Sequence, residues 1–155
     1  MPTKPTLKPK NIAKGESFTY AFRRINEAIA NEYYLEAITL CESIISDRLL
    51  SHVSFHKKNK GNLKTSFANL IVSAQKIHKL PIEWKSETDL FKSIDEWRDA
   101  RNKCVHGAAK SIPTEPTISV LEFIKLTKQS ANQGKRLARF ICDWHKVNQK
   151  EVRND

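Results

Sequence analysis

From Phe18 to Trp144 the apolar residues of this chain recur at spacings of three and four, and no window alternates with a period of two. That periodicity puts apolar side chains on one face of an α-helix and does not suit a half-buried strand. The fold is therefore restricted to helices packed on helices. Phe18, Phe22, Ile25 and Ile29 mark a first helix, with Ser17 as its N-cap and Asn31 as its stop. Leu35, Ile38, Cys41, Ile45 and Leu49, flanked by Tyr34, Ile44 and Val53, mark a second from about 32 to 52. Leu63, Phe67, Leu70, Ile71, Ala74 and Ile77 mark a third, ended near Leu80-Pro81. Ser86-Glu87-Thr88-Asp89 offers a cap and an acidic first turn to a fourth helix, which Gly107 stops. Ser119-Val120-Leu121-Glu122 has capping-box form and opens the last, longest helix. Leu121, Ile124, Lys128, Ala131, Leu137, Phe140, Ile141 and Trp144 line that helix, with a kink expected at Gly134. The expectation is an all-α, five-helix up-and-down bundle over 15–148, preceded by a flexible basic arm (1–14) and followed by a frayed tail (149–155).

A chain of 155 residues can bury a core without staples, and it carries a net charge of +10. Such a surplus points to a polyanionic partner or to a lysine-rich solvated face. There is no run of 18 uncharged apolar residues and no signal-peptide pattern at the start, so no membrane partner is expected and the cytoplasm is the expected compartment. Cys41, Cys104 and Cys142 are far apart, odd in number and inside helical patterns, and read as small apolar side chains.

One position breaks the apolar code. Leu90, Ile94, Trp97, Arg101 and Val105 share a stripe, so a guanidinium stands where the pattern asks for an apolar residue. A buried charge is costly unless paired. Glu42 also lies on the apolar side of its helix, near Ile38 and Ile45, and is the proposed partner; the alternative is that it reaches out from the edge of its stripe. Four residues after Arg101-Asn102 comes His106, followed by Gly107.

Other candidates are weaker. His52 and His56 are spaced to share a helix face as metal ligands, but no third ligand is near them in sequence. They read as a solvent-facing pair, His78 reads as a surface residue, and neither metal nor cofactor is expected. Lys57, Lys58, Lys60 and Lys64 form a basic turn that either grips phosphates or is simply solvated. Arg139 and His145 repeat the arginine–histidine theme, but within a helix and with Phe140 after the arginine. No phosphate loop, GxSxG or HExxH is present.

With eight arginines and five histidines in 155 residues, about a quarter of one such Arg–His match arises by chance. Its setting adds weight: Arg101-Asn102-Lys103-Cys104-Val105-His106 ends a helix of a basic all-helical chain. There the chain resembles the HEPN family, helical-bundle domains of which many are metal-independent RNases marked by Arg, a polar residue, a few more residues and His. The resemblance implies His106 as general acid/base, Arg101 as stabiliser of phosphorane charge, Asn102 as a positioning group, and Glu42 and Lys103 in support. It also implies RNA as substrate, a 2′,3′-cyclic phosphate product, a homodimer with the motif in its cleft, and a role in toxin–antitoxin or phage defence. An antitoxin, in some cases a minimal nucleotidyltransferase, would be the further partner.

Geometry bears on the dimer. Five residues of ideal helix rotate a side chain by about 140° and advance it ~7.5 Å. Arg101 and His106 converge only if the helix loosens near Gly107 or if two copies meet. A non-catalytic helical module, binding nucleic acid or neutralising a toxin, is the alternative.

Overall fold

A computed structural model describes residues 12–56, 65–107 and 118–154, with the side chains of 12 and 150–154 excepted. Five helices pack together: α1 (Ile12–Ala30), α2 (Tyr34–His56), α3 (Phe67–Ile77), α4 (Leu90–Gly107) and α5 (Val120–Asn154). Among the described residues there is no strand, only one isolated bridge between Trp84 and Glu87.

α2 touches all four other helices. Its sequence explains why: Ala37, Ile38, Cys41, Ile44, Ile45 and Leu49 cover more than one face, and all are buried. A helix that is apolar most of the way round is stable only inside a bundle. α1 delivers the chain to it through a tight turn. Tyr33 N–H donates to the Ala28 carbonyl at 2.7 Å and Glu32 N–H to that of Ile29 at 3.2 Å, a Schellman-type ending. Glu32 takes the left-handed conformation (φ 63°) usually given to glycine, and the Asn31 side chain donates to the Glu27 carbonyl at 2.8 Å.

The caps of α4 and α5 follow the sequence closely, while α3 opens at Phe67 under an N-cap the pattern does not mark, Ser66, whose Oγ accepts from Asn69 N–H at 3.2 Å. Asp89 Oδ1 accepts from Lys92 N–H at 3.3 Å. Ser119 Oγ accepts from Glu122 N–H at 3.2 Å, while Glu122 Oε2 accepts from Ser119 N–H at 3.3 Å. That is the reciprocal box expected of Ser-x-x-Glu.

Several boundaries and faces differ from expectation. α1 starts at Ile12, so Ser17 lies inside it and 12–14 belong to the helix rather than to an arm; 1–11 and Leu63 lie outside the described residues. α2 begins at Tyr34 and runs on to His56. α5 continues to Asn154 where a frayed tail was expected. Its first turns bury Thr127, Ser130 and Ala131, leaving Leu121, Ile124 and Lys128 exposed. Leu35 and Val105 are likewise on the surface, and Cys104 takes the buried place expected of Val105.

Gly134 leaves α5 helical on both sides. It makes room for Trp97. A Cβ at Gly134 would stand 2.6 Å from Trp97 Cζ2 and 2.9 Å from Cε2. The indole lies flat on bare backbone, fully buried, and its Nε1 donates to the Ser130 carbonyl at 2.8 Å. Alanine has the better helix propensity by about 1 kcal/mol, but overlap with a rigid buried ring costs more. Gly134→Ala is therefore expected to destabilise the protein by about 1–3 kcal/mol in urea unfolding; an unchanged or raised midpoint would contradict this packing.

Candidate active site and a histidine cluster

Arg101 is on the inner side of α4, one turn beyond Trp97, and it meets α2. Its Nη2 pairs with Glu42 Oε2, and both side chains are mostly but not wholly covered, at 24% and 20% exposure. Nη1 donates to Asn102 Oδ1 at 2.6 Å. Nε is buried and has no hydrogen-bond partner among the described residues. The pairing expected of two charges on facing apolar stripes is thus formed, and it holds the guanidinium by two of its edges. With a carboxylate so close, the net charge of the pair is near zero unless an anion displaces Glu42.

His106 and Lys103 are exposed, and Asn102 is half-buried. α4 remains α-helical through Gly107, so it does not loosen where Arg101 and His106 would have to converge. Within one chain the two side chains therefore diverge by about 140°. Val105 beside His106 is exposed, and so are Ile118, Val120, Leu121 and Ile124 at and before the start of α5, Val120 and Leu121 at 74% and 80%. α5 begins beside the end of α4, since a Cβ on Gly107 would lie 3.8 Å from the Phe123 ring.

Lys57, Lys58, Lys60 and Lys64 lie outside the described residues. A different basic surface is seen between α1 and α5, a groove of about 570 Å³ lined by Phe18, Phe22, Arg23, Arg48, Arg139 and Lys146, among others. Arg48 stacks on Phe18 at 4.6 Å and Arg139 on Phe22 at 4.5 Å from the ring centroids. Arg139 is thus engaged at the surface while His145 is buried, so this second arginine–histidine pair does not form a site.

The histidines correct the sequence reading. His52 is only 1% exposed, so it is no solvent-facing residue, and His78, at the C-terminal end of α3, is half-buried. The third histidine absent from the local sequence is supplied by the fold. One ring nitrogen from each of His52, His56 and His78 lies within 4.8 Å of the other two, and His52 Nε2 is 2.7 Å from His78 Nε2. A separation of 26 residues hides this from any local motif. Trp144 and Phe91 wall the cluster, with centroids 4.8 Å and 6.2 Å from that of His52.

Burial, then the neighbouring imidazoles of His56, His78 and His145, pushes His52 down to about 3. Burial, then the charges of Arg48 and Lys14, brings His145 down to about 4. Burial also lowers His78.

No protein-family model, curated protein or solved structure matches the chain. Among the described residues no helix is long and apolar enough to cross a membrane.

The two buried histidines set a pH dependence. Below the ordinary imidazole value of 6.5 the unfolded chain takes up protons that folded His52 and His145 refuse until about 3 and 4. Protonation therefore favours unfolding, and stability falls as pH drops. In EDTA, where only protons compete for the ring nitrogens, the melting temperature should hold from pH 8 to 7 and fall progressively from about pH 6.5 towards 4.5. A flat profile across that window would contradict the burial of these rings.

Proposed function

We propose that the chain is a metal-independent endoribonuclease of HEPN type, active as a homodimer. The observation that carries the reading is the unbroken helix between an anchored arginine and an exposed histidine. Within each chain the two groups point to different sides of α4, and the start of α5, which lies beside the end of α4, exposes apolar side chains on which a second copy would seat. In the proposed reaction His106 accepts the ribose 2′-OH proton as the 2′-oxygen attacks phosphorus. The P–O5′ bond breaks, the leaving 5′-oxygen takes up a proton, and the products are a 2′,3′-cyclic phosphate and a 5′-hydroxyl. Histidine suits that transfer at neutral pH. Arg101 supplies the fixed positive charge that the phosphorane needs, with phosphate displacing Glu42 from Nη2. Asn102 keeps the guanidinium oriented through its 2.6 Å contact, and Lys103 adds charge at the rim.

The basic groove between α1 and α5 supports RNA as the polyanion, and the cytoplasm is where such a substrate is met. An RNase of this kind, acting as a toxin or in phage defence, calls for an antitoxin partner, such as a minimal nucleotidyltransferase, covering the α4–α5 end. A second reading has an observation of its own. If Glu42 neutralises Arg101 permanently, the arginine is structural, and the stacked arginines of the groove make the chain a non-catalytic nucleic-acid-binding module.

The two separate in one assay: wild type, Arg101→Ala and His106→Ala are incubated with total RNA in EDTA, and product ends are mapped. The nuclease reading predicts 2′,3′-cyclic ends from wild type and a loss of about 100-fold or more in either folded variant. Undiminished cleavage by both variants sinks the site. No cleavage by wild type, with salt-sensitive RNA binding, favours the binding module.

A further inference from the structure

We propose that His52, His56 and His78 form a three-histidine site for a divalent transition-metal ion of the zinc class. The site goes beyond the nuclease reading and is separate from its residues: Glu42 and His52 stand ten residues apart on α2, ~15 Å along the helix.

The geometry argues for an ion. His52 and His56 project from one face of α2, and His78 reaches the same point from the residue that ends α3. Their ring nitrogens converge within 4.8 Å. A proton can bridge one pair, as the 2.7 Å separation of His52 Nε2 and His78 Nε2 allows, but it serves only two of the three rings. A metal serves all three. Zinc–imidazole bonds of ~2.0–2.1 Å in a tetrahedral arrangement place the nitrogens ~3.4 Å apart, a spacing that lies between those two values. The two adjustable members are the outer ones: His56 is exposed in the last turn of α2, and His78 sits on extended backbone at φ −105°, ψ 102°.

The surroundings suit a ligand shell. Trp144 packs edge-on against His52 and His78 at 4.8 Å and 5.7 Å, and Phe55 packs against His56 at 5.4 Å. These rings fix the imidazole planes and exclude water on the inner side. The exposed side of His56 leaves an entry path and an open fourth position. Imidazoles without a carboxylate or thiol favour zinc, copper or nickel over magnesium or calcium. Bound there, the ion would tie the end of α2 to the end of α3.

The test uses the full chain, stripped of metal and dialysed at pH 7.5, with zinc chloride titrated calorimetrically and cobalt(II) added as an absorbing stand-in. His56→Ala and His78→Ala remove the less buried ligands, and far-UV circular dichroism checks that both variants fold. The expected result is one zinc per wild-type chain, with affinity reduced by roughly 100-fold or more in each variant, since even outer-shell losses cost 10–100-fold. Zinc at about a hundred times its Kd should raise the wild-type melting temperature by roughly 5–10 °C and leave the variants unmoved. Absence of saturable binding, or equal binding by wild type and both variants, overturns the site and leaves a histidine–histidine hydrogen bond. Because RNA cleavage is read in EDTA and on other residues, either proposal can fail without the other.

Discussion

The contact of Trp97 with the bare backbone at Gly134 governs how α4 lies against α5, and through it the place of everything beyond on α4. With no side chain between them, the indole closes onto the helix and satisfies its N–H on the Ser130 carbonyl at 2.8 Å. Arg101 is one turn further along the same face, and it meets Glu42 of α2. Another turn on, the end of α4 runs beside Phe123 and leaves His106 at the surface. A change in the Trp97–Gly134 distance would shift all of these together.

α2 shows how a bundle of this size combines apolar packing with polar chemistry. Along its middle Ala37, Ile38, Cys41, Ile44, Ile45 and Leu49 are buried among the other helices. The polar groups with unusual surroundings border or follow that stretch: Glu42 against Arg101, then His52 and His56 against His78. Glu42, Arg101, His56 and His78 make their contacts at the edge of the core, where part of each group still reaches water, while His52 is buried. The Glu42–Arg101 contact stays within the energy limits on buried charge because both groups reach water and are paired, and His52 does so because burial keeps it uncharged.

The helical class, the order of five helices and the N-caps of α4 and α5 read from sequence as signals of short range: spacings of three and four, Ser-x-x-Glu, Asp89 before an apolar run; Ser66, whose Oγ caps α3, does not. The Glu42–Arg101 pair was also legible, since two charges on apolar stripes need each other. What escaped was set by distance along the chain or by competition between faces. His78 joins His52 across 26 residues, which no local pattern records. Lys128 keeps phase with Ile124 and Ala131 and so reads as inward, yet the buried face there is the one bearing Thr127 and Ser130, whose hydroxyls bond the Ile124 carbonyl and Cys104. Gly134 reads from sequence as a kink signal, and its role as a space requirement is visible only once Trp97 is known to lie on it.

The proposed cleavage site takes Arg101 from one copy and His106 from another. Mixing inactive Arg101→Ala and His106→Ala proteins under conditions that exchange subunits tests it most directly. A shared site predicts that half the dimers become mixed and that each mixed dimer regains one intact site, returning about a quarter of wild-type RNA cleavage. A mixture that stays inactive while wild type cleaves would contradict the shared site, because each chain would then need both residues of its own.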